Sequence, residues 1–175
     1  MRVMVVIGKC AAKSGVVSRI VAAATARGLR VSTIKRVRDE VDLDRPGTGT
    51  WHHRAAGAQQ VMLASGSRVA VMEEAPPGQH EPDVEALLAR LAAVDLVLLE
   101  GFRGVVYPKI EVLEPAQDRR PQAFDDASVR AVVAATPVPA PVPWIALDDS
   151  VALLACVLAE ALPPGQPVPE LETQP

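Results

Sequence analysis

The sequence predicts an α/β fold with a largely parallel sheet. Three observations carry that. Arg2–Ile7 (RVMVVI) and Asp95–Glu100 (DLVLLE) are apolar apart from their ends, as strands covered on both faces are. Strand-like runs alternate with segments of helical spacing through most of the chain, the order from which α/β sheets are built. Met1 to Ile34 reads strand, helix, strand, a unit that prefers a right-handed parallel crossover. At 175 residues the chain suits one domain with a real core, assigned to 1–162, with a Pro- and Glu-rich disordered tail over 163–175.

The elements follow in order. After the first strand, Gly8 breaks the run. From Ser14, apolar Val16, Val17, Ile20, Val21 and Ala24 recur at helical spacing, and Gly28 is a C-terminal stop. Leu29–Ile34 is the second strand. Lys35–Thr50 is a polar loop broken by Pro46, Gly47 and Gly49. Trp51–Ala58 reads as a helix. Val61–Ala64 and Arg68–Met72 flank Ser65-Gly66-Ser67, a hairpin pattern. Pro76–Pro82 is a surface loop. Val84–Val94 is a helix with Val84, Leu87, Leu88 and Leu91 on one face. Asp95–Glu100, Lys109–Leu113 and Arg130–Ala135 are strands, and Asp148-Asp149-Ser150 caps a last helix, Val151–Leu162.

Between the first strand and helix lies Gly8-Lys9-Cys10-Ala11-Ala12-Lys13-Ser14, with Gly15 following. A strand, a loop ending in Lys-Ser and a helix form the architecture of a phosphate-binding loop. Its amides and the helix N-terminus attract anionic oxygens, the lysine meets terminal phosphates, and the hydroxyl ligates Mg²⁺. The loop is one residue shorter than the usual spacing, and Ala12 stands where a glycine normally precedes the lysine. A glycine is used there because a Cβ penalises the left-handed backbone of such a nest by roughly 1–2 kcal/mol. In parallel sheets ligands bind at the C-terminal ends of strands, which gathers this loop, the segment after Ile34 and Glu100-Gly101 along one edge.

Composition removes other classes. A net charge of −3 and a pI near 5.6 argue against a general nucleic-acid binder. Cys10 and Cys156 are isolated, which fits a reducing cytoplasm rather than a disulfide scaffold. Lys9 follows the apolar start, unlike the order in a signal peptide. The uncharged run Leu147 closes is broken by Pro137, Pro139, Pro141 and Pro143 and is no membrane span.

Further blocks extend the pattern: Ala26-Arg27-Gly28, Ile34-Lys35, Asp42-Leu43-Asp44-Arg45-Pro46-Gly47, Trp51 through Ala58, Leu99-Glu100-Gly101-Phe102-Arg103 and Pro108-Lys109-Ile110-Glu111. In order and spacing the chain resembles the molybdopterin-guanine dinucleotide biosynthesis adapter family, MobB, a branch of the P-loop NTPases. The resemblance covers about Met1 to Leu113, with weaker agreement through Ala161. It implies a three-layer α/β/α fold and a cytoplasmic, GTP-binding, homodimeric adapter with slow GTP hydrolysis or none. The adapter would assist the guanylyltransferase MobA, which makes the guanine dinucleotide form of molybdopterin. Aligned back from Ala26-Arg27-Gly28, Lys13 and Ser14 fall on the family's Lys and Thr. Arg36-Val37-Arg38-Asp39-Glu40 replaces the family's frequent His cluster, and Gly49 its Asp after Pro-Gly. The alternative is a relative whose loop has decayed, surviving as a scaffold for MobA or molybdenum enzymes.

The resemblance gives each residue a role beside an ordinary one. Gly8 to Gly15 would cradle GTP. Lys13 neutralises outer phosphates or is a surface lysine. Ser14 ligates Mg²⁺ or caps the helix. Glu100 holds the metal and polarises the attacking water, as the one catalytic candidate, or simply ends a strand. Lys35 and Arg103 meet phosphate or pterin charge, or are solvated. Asp42 and Asp44 bind a second cation, contact a partner or are solvated. His52 and His53 diverge by about 100° on a helix and are read as surface residues. Lys109 and Glu111 share a strand face, forming a salt bridge or lining a partner surface.

Overall fold

A computed structural model describes residues 1–37, 41–74, 83–114, 120–166 and 168. The expected loop at Pro76–Pro82, His80, Arg38-Asp39-Glu40 and most of the expected tail lie outside the described residues. The chain forms two compact units, Met1–Arg36 with Val84 onward, and Val37–Asp83.

The larger unit is built on six parallel strands. They are β1 (Arg2–Ile7), β2 (Val31–Lys35), β5 (Leu96–Glu100), β6 (Lys109–Val112), β7 (Val129–Ala134) and β8 (Trp144–Ala146), in the order β2-β5-β1-β6-β7-β8. β3 (Gln60–Ala64) and β4 (Val69–Glu73) belong to the smaller unit. β5 is buried throughout and β1 at every position after Arg2, as their lack of interior charge requires. Period-two alternation divides their side chains between two cores. Met4, Val6, Leu96, Leu98, Ile110, Val112, Ala131 and Val133 face helices α1 (Ala12–Ala26) and α4 (Ser150–Glu160). Val3, Val5, Ile7, Val97, Leu99 and Val132 face the other side, with Phe102, Tyr107 and Leu88 of α3 (Val84–Ala89). β7 departs from strict alternation: its pairing with β6 shifts after Lys109, so Val129 and Val132 reach the same core.

Helix α1 buries Val16, Val17, Ile20 and Ala24, and Gly28 ends it at φ +78°. α4 is capped by Asp149, whose carboxylate accepts from the Ala152 amide at 2.9 Å. Its last carbonyls are met by Arg2, whose Nε donates to Ala161 O at 2.8 Å. The expected helix over Val84–Val94 stops at Ala89. There the Arg90 and Leu91 amides turn back three residues, to Leu87 and Leu88, and the helical ladder closes. No pattern in the sequence predicts β8. It is three residues long and follows a stretch in which Val138, Ala140 and Val142 are half-buried on the second core while Pro137, Pro139, Pro141 and Pro143 are exposed. Of the expected tail, Pro163 to Gln166 forms a turn in which the Gly165 amide donates to Tyr107 Oη at 3.1 Å. Burial and a bond to Glu85 push that phenol up to about 12.

In the smaller unit, α2 (Gly49–Ala55) starts two residues before the expected helix because Thr48 is its cap, and ends before Gly57 at φ +100°. β3 (Gln60–Ala64) and β4 (Val69–Glu73) form the expected antiparallel hairpin. Asp42 and Asp44 both meet Arg54, Asp42 at the surface and Asp44 largely covered. Arg54 Nη1 donates to Asp42 Oδ1 at 2.7 Å and lies 3.8 Å from Asp44 Oδ2, while Asp44 Oδ1 accepts from Thr50 Oγ1 at 2.9 Å. The bond from Arg54 holds the Asp42 carboxyl below its usual range, and that from Asp42 raises the guanidinium. These groups fasten the loop to α2. His52 and His53 are exposed on α2, and no cluster of three metal-ligating side chains exists among the described residues.

Candidate phosphate-binding site

The order β2-β5-β1 sets three strand ends side by side. Val6 and Lys35 are both register partners of Glu100, so the turn after β1 and the last residues of β2 and β5 share one edge. This is the edge the sequence indicated.

The turn is tighter than expected. Helix α1 begins at Ala12 rather than Ser14, so the connecting loop is Gly8 to Ala11. Gly8 sits at φ +148°, and a Cβ there would lie 2.4 Å from the carbonyl oxygen of Val112. No described residue other than glycine has positive φ, so Ala12 escapes the strain a full-length loop would impose on it. The shortened loop dispenses with the left-handed position by starting the helix earlier. Cys10 is buried, its Sγ 3.5 Å from Val112 O, and acts as a small packing residue. Lys9 and Ala11 are exposed.

Lys13 folds back over this loop, and its Nζ donates to Cys10 O at 2.6 Å. Ser14 is the third residue of α1, so it is not the cap; that position is Ala11, which provides no side-chain bond, and the first turn carries no acidic residue. A helix of 15 residues therefore presents an N-terminus without a capping side chain beside a lysine. Gly15 lies within the helix, where a Cβ would make only ordinary contact with Arg19.

Ser14 Oγ donates to Glu100 Oε1 at 2.8 Å, and Lys35 Nζ donates to Ser14 Oγ at 2.9 Å. Lys35 Nζ also lies 3.2 Å from Glu100 Oε1. The Glu100 side chain is 9% exposed. Lys35, expected either to meet ligand charge or to be solvated, meets a carboxylate of its own chain. Opposite charges close the two strands in the sequence, but only their pairing makes them neighbours. Gly101, at φ +91°, lets the Arg36 carbonyl approach to 3.1 Å of where a Cβ would stand. Arg103 is half-buried in the turn beyond the buried Phe102.

Lys109 and Glu111 are buried and line no exposed surface. Lys109 Nζ bonds Ser128 Oγ and lies 3.2 Å from Asp126 Oδ2, while Glu111 Oε2 accepts from the Gln122 amide at 2.7 Å. Sequence reasoning missed this role because charge alone does not reveal which side of a sheet is covered.

A parallel sheet, a glycine turn into a helix bearing Lys-Ser, and a carboxylate at the end of the adjacent strand define a P-loop NTPase-like α/β protein. The model of the family described as "Molybdopterin guanine dinucleotide synthesis protein B", MobB, matches residues 3–135, and the chain belongs to that family. It is 32% identical over 140 residues to the molybdopterin-guanine dinucleotide biosynthesis adapter protein of Escherichia coli K12, covering 78% of this chain and 79% of that one. The protein of the same description from Haemophilus influenzae is 33% identical over 126 residues, covering 72% and 70%. A crystal structure of molybdopterin-guanine biosynthesis protein B shares the fold at TM-score 0.70 and 22% identity, with 90% and 98% covered. Bacillus subtilis MobB does so at TM-score 0.69 and 20% identity, with 92% and 98% covered.

Proposed function

We propose that this protein is a GTP-binding adapter in the synthesis of the guanine dinucleotide form of the molybdenum cofactor, assisting the guanylyltransferase MobA and hydrolysing GTP slowly or not at all. One observation carries the nucleotide part: Ser14, Glu100 and Lys35 meet within hydrogen-bonding distance at the edge where α1 begins, next to Lys13. The backbone of Gly8 to Gly15 would receive the phosphates, Lys13 would leave Cys10 O to meet the outer ones, and Arg103 would add charge at the rim.

The donor set fits Mg²⁺. Ser14 Oγ and Glu100 Oε1 stand 2.8 Å apart, close to the roughly 2.9 Å edge of an octahedron with metal–oxygen bonds of about 2.0–2.1 Å. Those two residues would hold the ion, and it would offset phosphate charge. Glu100 is the only side chain we assign to polarising water, and it is already engaged by Ser14 and Lys35, which supports slow turnover. The adapter role rests on the family and on the descriptions of the E. coli and H. influenzae relatives. Molybdopterin or its guanine dinucleotide, a second copy of this chain and a cytoplasmic setting complete the reading; the two free thiols, Cys10 and Cys156, suit a reducing compartment.

A second reading, a scaffold that binds MobA or molybdenum enzymes without nucleotide, is favoured by the short loop and by the tie from Lys13 to Cys10 O. Calorimetric titration with GTP and GDP in Mg²⁺ separates the two. Binding is expected in the wild type, weakened about tenfold or more in Lys13→Ala through loss of a charge-assisted contact. No heat and no melting shift in the wild type would leave only the scaffold. Co-purification with MobA is expected under the adapter reading, and absence of any complex, with MobA or with a molybdenum enzyme, would overturn both.

A further inference from the structure

Lys35 touches both oxygens that fit a divalent ion, at 2.9 Å from Ser14 Oγ and 3.2 Å from Glu100 Oε1. We propose that Lys35 is a tethered cation occupying the metal position of this pocket, so that a divalent ion enters only by displacing its ammonium. The inference rests on the reading of Ser14 and Glu100 as a cation site and concerns what guards that site.

Three features carry it. Backbone pairing delivers the ammonium, since Lys35 ends β2 opposite its register partner Glu100. Glu100 is 9% exposed and therefore needs a nearby positive charge, while Lys13 is turned to Cys10 O. The Lys35 side chain is 54% exposed, so its flexible stem has solvent to swing into when a dication repels it. Two consequences follow for the bare protein. Divalent ions bind weakly because each must break an existing ion pair. An anionic phosphate ligand finds two ammonium groups, Lys13 and Lys35, at the same edge without any metal.

The test uses Mn²⁺ alone, followed by paramagnetic resonance on the full chain without nucleotide. Mn²⁺ is expected to bind Lys35→Met about tenfold more tightly than wild type, and the gain is expected to vanish in Lys35→Met/Glu100→Gln. A gain below threefold, or one that survives Glu100→Gln, overturns the proposal. Lys35→Gln gives the same readout if the methionine variant melts early. A parallel GTP titration in EDTA keeps the two readings apart. A Mn²⁺ gain without nucleotide binding in any condition supports the tethered cation and strikes only the GTP reading. GTP binding with no Mn²⁺ gain does the reverse.

Discussion

Gly8→Ala is expected to lower the unfolding free energy by about 3 kcal/mol and to abolish ligand binding at the turn. Two costs coincide. The backbone at φ +148° is one that side chains with a Cβ avoid, and the added methyl would stand 2.4 Å from Val112 O. That oxygen belongs to the buried strand β6, which pairs with both β1 and β7 and has no direction in which to retreat. The stem of Lys13, 3.3 Å from the same methyl, would be pushed as well. Gly28→Ala is the control for conformation alone: at φ +78° with open space around it, it is expected to cost only about 1 kcal/mol. Gly15→Ala, inside α1, is expected to stabilise by up to about 1 kcal/mol. Urea unfolding of the three variants checks the ranking. A Gly8→Ala protein that unfolds at the wild-type midpoint would contradict the close approach of turn and strand.

Asp126→Ala is expected to cost about 2–3 kcal/mol, because it strands the ammonium of Lys109 in the core with Ser128 as its one remaining partner among the described residues. The loss is smaller than for a wholly buried pair because the Asp126 side chain is 35% exposed. The same contact makes a pH prediction. Burial pushes the Asp126 carboxyl up, but bonds from Ser128 and the ammonium of Lys109 outweigh it and hold the group below its ordinary value. A carboxyl depressed in the folded chain contributes stability above its unfolded pKa, and that contribution is lost as pH falls through the folded value. The stability gap between wild type and Asp126→Asn is therefore expected to be constant from about pH 5 to 8 and to shrink below about pH 4. A gap unchanged at pH 3 would show that the pair does not exist in solution.

The parallel sheet was legible because its central strands lack interior charge: RVMVVI and DLVLLE admit no exposed face. The hairpin was legible from Ser65-Gly66-Ser67 between two short strand-like runs. Element ends were less so. Ala12 and Lys13 belong to α1 although neither is a start signal, because a loop one residue short takes up the helix early instead of bending left-handed at Ala12. β8 was hidden since three residues give no periodicity and four prolines precede them. In the site, Gly8, Ser14 and Glu100 were placed by pattern, and their convergence follows from parallel strand ends. The Lys35 contact needed the strand order β2-β5, which pairing decides and local sequence does not. Asp42 and Asp44 were open between cation, partner and solvent because Arg54, their counter-charge, lies on a different element. Lys109 shows the same gap: its charge suggested a surface, whereas Asp126 and Ser128 make burial tolerable.

The stretch before β8 shapes how the chain joins the edge of its own sheet. In a chain with two-residue alternation, backbone groups of every second residue point to the same side. Pro137, Pro139, Pro141 and Pro143 occupy every second place, so one flank of the segment offers carbonyls and no amide hydrogens. At Pro143 that flank is turned toward β7: the Val132 amide donates to the Pro143 carbonyl at 2.9 Å, so this proline gives the sheet an acceptor and asks none in return. The hairpin of the smaller unit, with no proline in either strand, leaves Met62, Leu63, Val69 and Val71 exposed.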